Sequence, residues 1–556
     1  MLYLEVPPLS PVVTDYRFKT QPFDHQAEDF LLSRDAVVFG FTDEQGTGKS
    51  KKLIDTVAWL FLKGKITGVL VIAPNGVHRN WILNEIPAHM PDYIQCVSAY
   101  WSASPNKEEK AALQALDKPP KHMTQALRFL AVNVEAVNTK RGRDYITQFI
   151  NSFRCVGAID ESTIIKNPSA GCTKQILAMR ERFPYRRLLN GTLLTQGPED
   201  VWSQMNWLDP EIIGIPSLYS FRARYCQIVD VAAILAQGRF APKHERDQAM
   251  QVSRIMQRNP KAKFAQFVLT DDNGKPQYQR IEELRAKIAP YITRRTKADC
   301  LDLPEKLFTK RYVELSDRQR RIYDQLRKGV IAEMGGMQMT ATLAFTKMLR
   351  LQQVVGGFFV PDAAEYSFED EDFFEESETD NFPPMCVKTE PKAIDEVNPR
   401  IASLMELLEE VDGKVLIWAR FRAELGAITQ ALRDRYGFAA VCELHGGIDP
   451  EERQASIKRL QEDPALRFAV GNPQAKGVSR GQTMTAVTTV VYYSNSFSLD
   501  DRLQSEDRAH RIGQKNPVTY IDLVAPDTLD EKVIDALRSK KELADLVNGD
   551  RISNWI

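Results

Sequence analysis

The sequence predicts an α/β protein made of two parallel-sheet units with helical insertions. Three observations lead there. The chain has 556 residues, more than the roughly 100–200 residues of one domain. Short apolar runs alternate with amphipathic stretches from residue 36 onward, the pattern of parallel strands covered by helices. These runs fall into two sets, separated by stretches that lack the rhythm.

In the first set, 36–41 (AVVFGF), 69–73 (VLVIA), 155–159 (CVGAI) and 187–189 (RLL) are the candidate strands. Residues 210–290 read as mostly helical and polar, an insertion on the first unit. In the second set, 414–418, 439–444, 467–470, 487–493 and 518–524 are the candidate strands. Asp449 before Pro450 and Glu451 reads as an N-cap with proline at the first helical position, opening a structural helix that carries Arg453 and Leu460. The expected division is 1–299 for the first lobe, 300–400 for inter-lobe helices, and 401–556 for the second lobe. Within the middle part, 362–380 holds ten acidic residues in nineteen and no Lys or Arg. Such a run repels itself and is expected to be a flexible loop.

Charge nearly cancels, with 73 Lys and Arg against 74 Asp and Glu and a formal net of −1. Taken whole, that balance argues against a nucleic-acid partner. The segment 362–380 alone carries −10, however, which leaves +9 on the remainder. Salt-dependent DNA binding is therefore compatible with the composition, and the acidic insert is expected to compete with DNA for the basic surface. The seven cysteines form no C-x-x-C pair, which argues against a disulfide framework or a cysteine zinc site and for a reducing compartment. No basic n-region opens the chain, Glu5, Pro7 and Pro8 interrupt its first apolar residues, and no apolar run approaches the roughly 18 residues of a membrane span. The expectation is a soluble, cytoplasmic protein.

Directly after 36–41 comes TDEQGTGKS, then a helical pattern with Leu53, Val57, Leu60 and Phe61 on one face. Strand, glycine-rich turn and helix N-terminus aim backbone N–H groups and a helix dipole at one point, which suits a triphosphate. Gly46 and Gly48, flanking Thr47, let the backbone close on phosphates, Lys49 would reach the β and γ oxygens, and the Ser50 hydroxyl would bind Mg²⁺. Asp43 stands where the first glycine of the full motif belongs; the alternative is a surface turn with a solvated lysine. The strand 155–159 runs into Asp160 and Glu161, an acidic pair suited to a Mg²⁺ ligand and a carboxylate that orients the attacking water. Parallel strands bring both motifs to one sheet edge.

Nine segments in order then resemble the Swi/Snf-like ATPases of helicase superfamily two, in the short form found in bacteriophages. They are FDHQ (23–26), DEQGTGKS (43–50), VIAPNGVHRNW (71–81), DESTIIKN (160–167), LLNGTLLTQGPEDVW (188–202), ITRRTKADCLDLP (292–304), KVLIWARF (414–421), LHGGIDPEERQ (444–454) and QSEDRAHRIGQ (504–514). The resemblance spans about 17–546 and implies two RecA-like lobes of the P-loop NTPase type with ATP in the cleft between them. It implies that Gln26 reads adenine and that Lys49, Ser50, Asp160 and Glu161 act from the first lobe. Gln504, Arg508 and Arg511 come from the second, the arginines neutralising charge on the transferring phosphoryl group.

The same resemblance assigns backbone contacts to DNA phosphates around 74–81, with Pro74 and Asn75, at Gly191 and Thr192, and at 445–447, with His445 and Gly446. Arg294, Arg295 and Lys297 either face DNA or tie the lobes together through carboxylates. His445 and His510 are expected to be hydrogen-bonding residues rather than catalysts. Ser162 and Thr163 stand where alanine and histidine are frequent in the family, which puts the link from the acidic pair to the next motif in doubt. The loop 474–486, with Lys476, Ser479, Arg480 and Gly481, aligns poorly. The motifs fill the chain nearly end to end, so a motor without accessory domains, monomeric when free, is expected.

The function implied is a DNA-stimulated, Mg²⁺-dependent ATPase that translocates on double-stranded DNA and remodels or displaces bound protein. A strand-separating helicase, a translocating subunit of a restriction-like complex, and a DNA-binding protein with a decayed ATPase are the alternatives.

Overall fold

A computed structural model of the chain describes residues 16–119, 121–194, 197–243, 245–247, 249–250, 253, 266–269, 276–301, 303–336, 341–359, 391–474 and 483–548. The acidic segment 362–380, Cys386 and the 475–482 part of the poorly aligned loop lie outside the described residues. The chain divides into two compact units: Met1–Gly191 with Gln204–Ile212 and Ala289–Arg295, and Thr192–Ser203 with Ile213–Ile288 and Thr296–Ile556.

In the first unit the described strands are β1 (Val38–Phe41), β2 (Gly68–Ala73), β3 (Cys96–Tyr100), β4 (Leu127–Asn133), β5 (Cys155–Asp160), β6 (Tyr185–Leu189) and β7 (Ile292–Thr293). They form one sheet in the order β3-β4-β2-β5-β6-β1-β7, and every neighbouring pair is parallel. β2 and β5 are buried along their whole length, as the near-continuous apolar runs of a two-sided parallel sheet require. β3, β4 and β7 are additions to the expected set. The residues of β4 (LRFLAVN) merge into an apolar, alanine-containing stretch that periodicity cannot tell from a helix.

The helix after β1, Lys49–Leu62, departs from its expected one-sided pattern. Every residue from Lys51 to Leu60 is buried. Leu53, Ile54, Val57 and Leu60 join the core with Phe41, Val71 and Phe129, while the polar positions are satisfied internally. Lys51 pairs with Asp55 at 2.8 Å, Asp55 accepts the Tyr16 hydroxyl at 2.7 Å, and Ser33 and Thr56 share a hydrogen bond of 3.1 Å.

The second unit carries β8 (Lys306–Tyr312), β9 (Lys414–Trp418), β10 (Val441–Leu444), β11 (Phe468–Gly471), β12 (Val487–Tyr492) and β13 (Val518–Val524). Their order is β8-β13-β12-β9-β11-β10, again with parallel neighbours. Alternate residues of β9 face opposite layers: Val415 and Ile417 pack with Leu404, Leu408 and Ile428, whereas Leu416 and Trp418 pack with Leu460, Leu466 and Met484. The expected N-cap is in place, with Asp449 Oδ1 accepting from Glu451 N at 2.9 Å ahead of the helix Pro450–Glu462. β8 adds an edge strand from a stretch expected to be inter-lobe helix. Of the stretch 210–290, Ile213–Ile288 groups with this unit, and its helix Ile281–Ile288 packs on the C-terminal helix Leu529–Asn548. It further contains an antiparallel strand pair, Ile228–Asp230 with Gln266–Val268.

The helix Leu499–Ala509 is anchored to this sheet by Arg502. Its guanidinium donates to both Asp522 oxygens at 2.6 and 2.9 Å, to Glu506 at 2.9 Å and to Asn495 at 2.9 Å, and lies over the Tyr492 ring. All of Arg502, Glu506 and Asp522 are buried. Breaking such a cluster leaves carboxylates without their counter-ion, so Arg502→Leu is expected to destabilise the second unit by about 3–5 kcal/mol. Chemical denaturation followed by a probe in that unit checks this.

Candidate functional site

Because the strands are parallel, β1, β2, β5, β6 and β7 end on one edge of the first sheet, and the motif residues follow those ends. β1 leads into the loop Thr42–Gly48. Gly46 and Gly48 have φ of 84° and 89°, and a Cβ on Gly48 would stand 2.1 Å from Gln26 Nε2. Both positions therefore demand glycine. Gly48 is the N-cap of the following helix and offers no side chain to it, so the first helical N–H groups point out of the loop. Lys49 Nζ donates to the carbonyls of Asp43 and Glu44 at 2.8 and 3.2 Å. Burial pushes its ammonium below the ordinary lysine pKa, against the pull of Glu161, Asp43 and Asp160.

The loop is held from three sides. Thr47 O accepts from His25 Nε2 at 2.9 Å and from Gln26 Nε2 at 3.1 Å. Gln26 Oε1 accepts from Phe23 N at 3.1 Å, which leaves the amide one N–H and one lone pair. Beneath the loop, Lys52 Nζ pairs with Asp29 at 2.5 Å and Asp43 at 2.7 Å, and all three side chains are inaccessible to solvent. Asp43, at the position of the missing glycine, is thus a buried counter-ion; burial pushes its carboxyl up while Lys52 pulls it down. On the third side, Thr42 N donates to Thr293 O and Glu44 N to Arg295 O, each at 2.9 Å.

At the end of β5, Asp160 Oδ2 accepts the indole N–H of Trp81 at 2.8 Å, and Oδ1 accepts Glu161 N at 3.0 Å. Glu161 takes a left-handed backbone, φ 51° and ψ 62°, which costs about 1–2 kcal/mol for a residue with a Cβ. Its carboxylate accepts from Gln45 Nε2 at 3.4 Å. After β6, Asn190 donates to Ser162 Oγ at 3.0 Å and to Gln204 Oε1 at 3.3 Å, and Ser162 Oγ donates to the same Gln204 oxygen. Asn190 Oδ1 accepts Gly191 N at 2.8 Å. Arg294 Nη1 donates to Gly191 O and to Thr42 O, both at 2.7 Å. A continuous set of hydrogen bonds therefore runs from the residue after Glu161 through Gly191 back to the start of the loop.

This donor set suits a triphosphate: a helix N-terminus, an ammonium, and two glycines whose positive φ lets the backbone turn tightly ahead of the helix. The Ser50 hydroxyl and the Asp160 carboxylate would be the protein ligands to Mg²⁺, a sparse contribution normal for a cation held through phosphates. Among the described residues no group of three or more His, Cys, Asp or Glu is able to hold a metal alone.

In the second unit, Gln504 and Arg508 lie one turn apart on the helix Leu499–Ala509. Both are buried. Gln504 Nε2 donates to Asp500 at 3.0 Å, and Arg508 Nε donates to Gln504 O at 2.9 Å. Arg511 sits in the turn that follows. Gln514 closes that turn, its amide nitrogen 3.0 Å from the carbonyls of Thr485, Val487 and Ala509.

The SNF2-related domain matches residues 25–356, more than half of the chain. The chain belongs to the SNF2-related family. The helicase conserved C-terminal domain matches 399–513. Among relatives, the putative ATP-dependent helicase/translocase YwqA of Bacillus subtilis is 24% identical over 98% of this chain and 50% of its own length. The ISWI chromatin-remodeling complex ATPase ISW1 of Saccharomyces cerevisiae is 24% identical over 95% of this chain and 40% of its own. The Sulfolobus solfataricus SWI2/SNF2 ATPase core in complex with dsDNA aligns with 98% of this chain and 100% of its own at 19% identity and TM-score 0.35. The chain thus spans half or less of the curated relatives' length. No helix among the described residues is long and apolar enough to cross a membrane.

In this SNF2-related chain the first sheet edge gathers Gln26, Gly46, Thr47, Gly48, Lys49, Ser50, Asp160, Glu161 and Gly191, and Arg508 and Arg511 lie on the second unit. The structure places the other expected residues as follows. Trp81, expected among DNA-facing residues, is buried and holds Asp160; in the same motif Pro74 is buried and Asn75 exposed. Thr192 is buried with its hydroxyl on Leu194 O at 3.0 Å. Arg294 and Arg295 tie elements within the first unit, Arg295 pairing with Glu28 and Asp29 at 2.9 Å, while Lys297 pairs within the second. After the acidic pair, Ser162 is hydrogen-bonded to Asn190 and Gln204. His445 organises its loop, accepting Gly447 N at Nδ1 and donating from Nε2 to Glu443, both at 3.1 Å, with Gly446 exposed between them. His25, Trp81, Asn190 and Gln204 carried no sequence signal of their roles, since their partners are distant in the chain.

Gly48→Ala is expected to weaken nucleotide binding and to cost about 1–2 kcal/mol or more through its left-handed backbone, read by fluorescent-nucleotide titration and denaturation. His78, buried in the turn after β2 with Nε2 on Trp101 O at 3.2 Å, is pushed down to about 4 by burial and by Arg79. Its folded value lies below the unfolded one, so its contribution is present above pH 6.5 and is lost as pH falls toward 4. Roughly 3 kcal/mol of acid sensitivity is expected, and His78→Gln should flatten that part of a stability–pH profile.

Proposed function

We propose that this chain is a Mg²⁺-ATP hydrolase that tracks along double-stranded DNA and remodels or displaces bound protein. The observation that carries the reading is the joined edge of the first sheet, where a phosphate loop, an acidic pair and Gly191 share one hydrogen-bonded network. Lys49 and the helix N-terminus hold the phosphates; Ser50 and Asp160 hold the cation, which supplies charge neutralisation on the transferring group. Glu161, kept off the strand by its left-handed backbone, orients and deprotonates the attacking water. Gln26 reads the adenine with its remaining donor and acceptor; Gln504 is the nucleotide-binding residue of the second unit's motif, and the charge of Arg508 and Arg511 stabilises the transferring phosphoryl group.

The likeness to a putative helicase/translocase and to a chromatin-remodeling complex ATPase supports a nucleic-acid track, and duplex DNA is the track chosen for this reading. Asn75, Gly191, His445 and Gly446 stand at strand ends where small or backbone groups are able to meet DNA phosphates, with Pro74 and Thr192 shaping the turns beside them.

Glu161→Gln should lower turnover by about 10²–10⁴-fold while retaining ATP binding. ATPase rates are to be measured alone and with duplex DNA, single-stranded DNA and RNA, beside triplex-displacement and forked-duplex assays. Stimulation greatest with duplex, and displacement without unwinding, is the expected outcome; equal stimulation by all three polymers refutes duplex tracking. Efficient fork unwinding would favour a strand-separating helicase.

A further inference from the structure

The chain passes into the second unit for the last time at Thr296, and the residues that follow grip the arginine-bearing turn. Thr296 and Asp299 form a reciprocal cap on the short helix Lys297–Cys300. From that helix the buried Lys297 ammonium donates to Asp507 Oδ1 and to His510 O, each at 2.6 Å. Further along, Pro304 O accepts from His510 Nε2 at 2.7 Å. The carbonyl can only accept, so the imidazole carries its proton on Nε2. Lys306 on β8 donates to Glu506 Oε2 at 3.1 Å and stands 3.7 Å from Asp507.

Asp507 precedes Arg508, and His510 separates Ala509 from Arg511. The last helical carbonyls of any helix lack intrahelical donors, so the path of the chain beyond Ala509 depends on what binds them. Here one ammonium binds both the His510 carbonyl and the neighbouring carboxylate. Although burial pushes the Asp507 carboxyl up, Lys297 and then Lys306 hold it below the usual range. The two lysines act on the carboxylate more strongly than Arg508, which also helps to lower it.

We propose that Lys297 is a positioning residue for Arg508 and Arg511: it occupies Asp507, which would otherwise compete for Arg508, and it sets the exit direction of the turn that carries Arg511. The proposal rests on the reading of these arginines as groups that stabilise the transferring phosphoryl.

The test compares Lys297→Met, Lys297→Arg, Lys306→Met and Arg508→Ala in the full chain by steady-state ATPase and thermal melting. Lys297→Met should lower kcat per folded molecule by up to about 10²-fold with KM for ATP within about twofold, the signature of misplacement rather than lost binding. Lys297→Arg, able to reach both acceptors, should recover much of that loss. Lys306→Met removes a cation from the same carboxylates but leaves the His510 carbonyl held, so its loss should be smaller. An unchanged kcat in Lys297→Met, a loss that follows only the unfolded fraction, or an equal loss in Lys306→Met would overturn the proposal. Full turnover in Arg508→Ala would instead overturn the reading on which it rests.

Discussion

Lys52 places an ammonium where water has no access, and the first unit is organised by the need to pair it. Burying one charge costs several kcal/mol unless its partners are close and well aligned. Asp29 and Asp43 supply them, and Arg295 offsets the second carboxylate by pairing with Asp29. These four residues come from the helix Asp24–Ser33, the phosphate loop, the helix after it and the end of β7. The helix that presents Gln26, the loop that presents Lys49 and the returning segment that carries Arg294 are therefore fixed by one cluster. Displacing any member strands a charge on the others.

The cluster also accounts for two irregularities in the amino-acid pattern. A glycine is expected where Asp43 stands, and a solvated face is expected on the helix Lys49–Leu62. Both features have one cause: the unusual aspartate is the partner of a lysine on that face, and the face is interior. Similarly, Ser162 and Thr163 look like a broken link when alanine and histidine are sought there. The Ser162 hydroxyl is small enough to sit between Asn190 and Gln204 and hydrogen-bonds both.

Much of the architecture was legible because parallel strands buried on both faces leave a strong mark, as in VLVIA or KVLIW, and because strand, glycine turn and lysine follow one another directly. β3 and β8 were not legible; CVSAY is too mixed, and KLFTKRY alternates like an exposed edge. The acidic pair at the end of β5 could be read locally, whereas Trp81 against Asp160 joins residues 79 positions apart and Arg294 to Thr42 joins residues 252 apart. Nothing in a local pattern encodes such pairings. Arg294 and Arg295 left two readings open, DNA or carboxylates, because sequence shows charge without showing the carbonyls and carboxylates that absorb it.

β7 has a consequence for how the protein is made. β1 pairs with β6 on one side and with β7 on the other, and Ile292 is translated about a hundred residues after Leu189. At a ribosomal pace of 5–20 residues per second, roughly 5–20 s separate the two events. During that interval the outer edge of β1 is an open strand, and the amides of Thr42 and Glu44 await carbonyls not yet synthesised. The phosphate loop is thus finished late in biosynthesis, and the nascent first unit has a defined period in which an edge-binding chaperone would protect it or another chain would misjoin it.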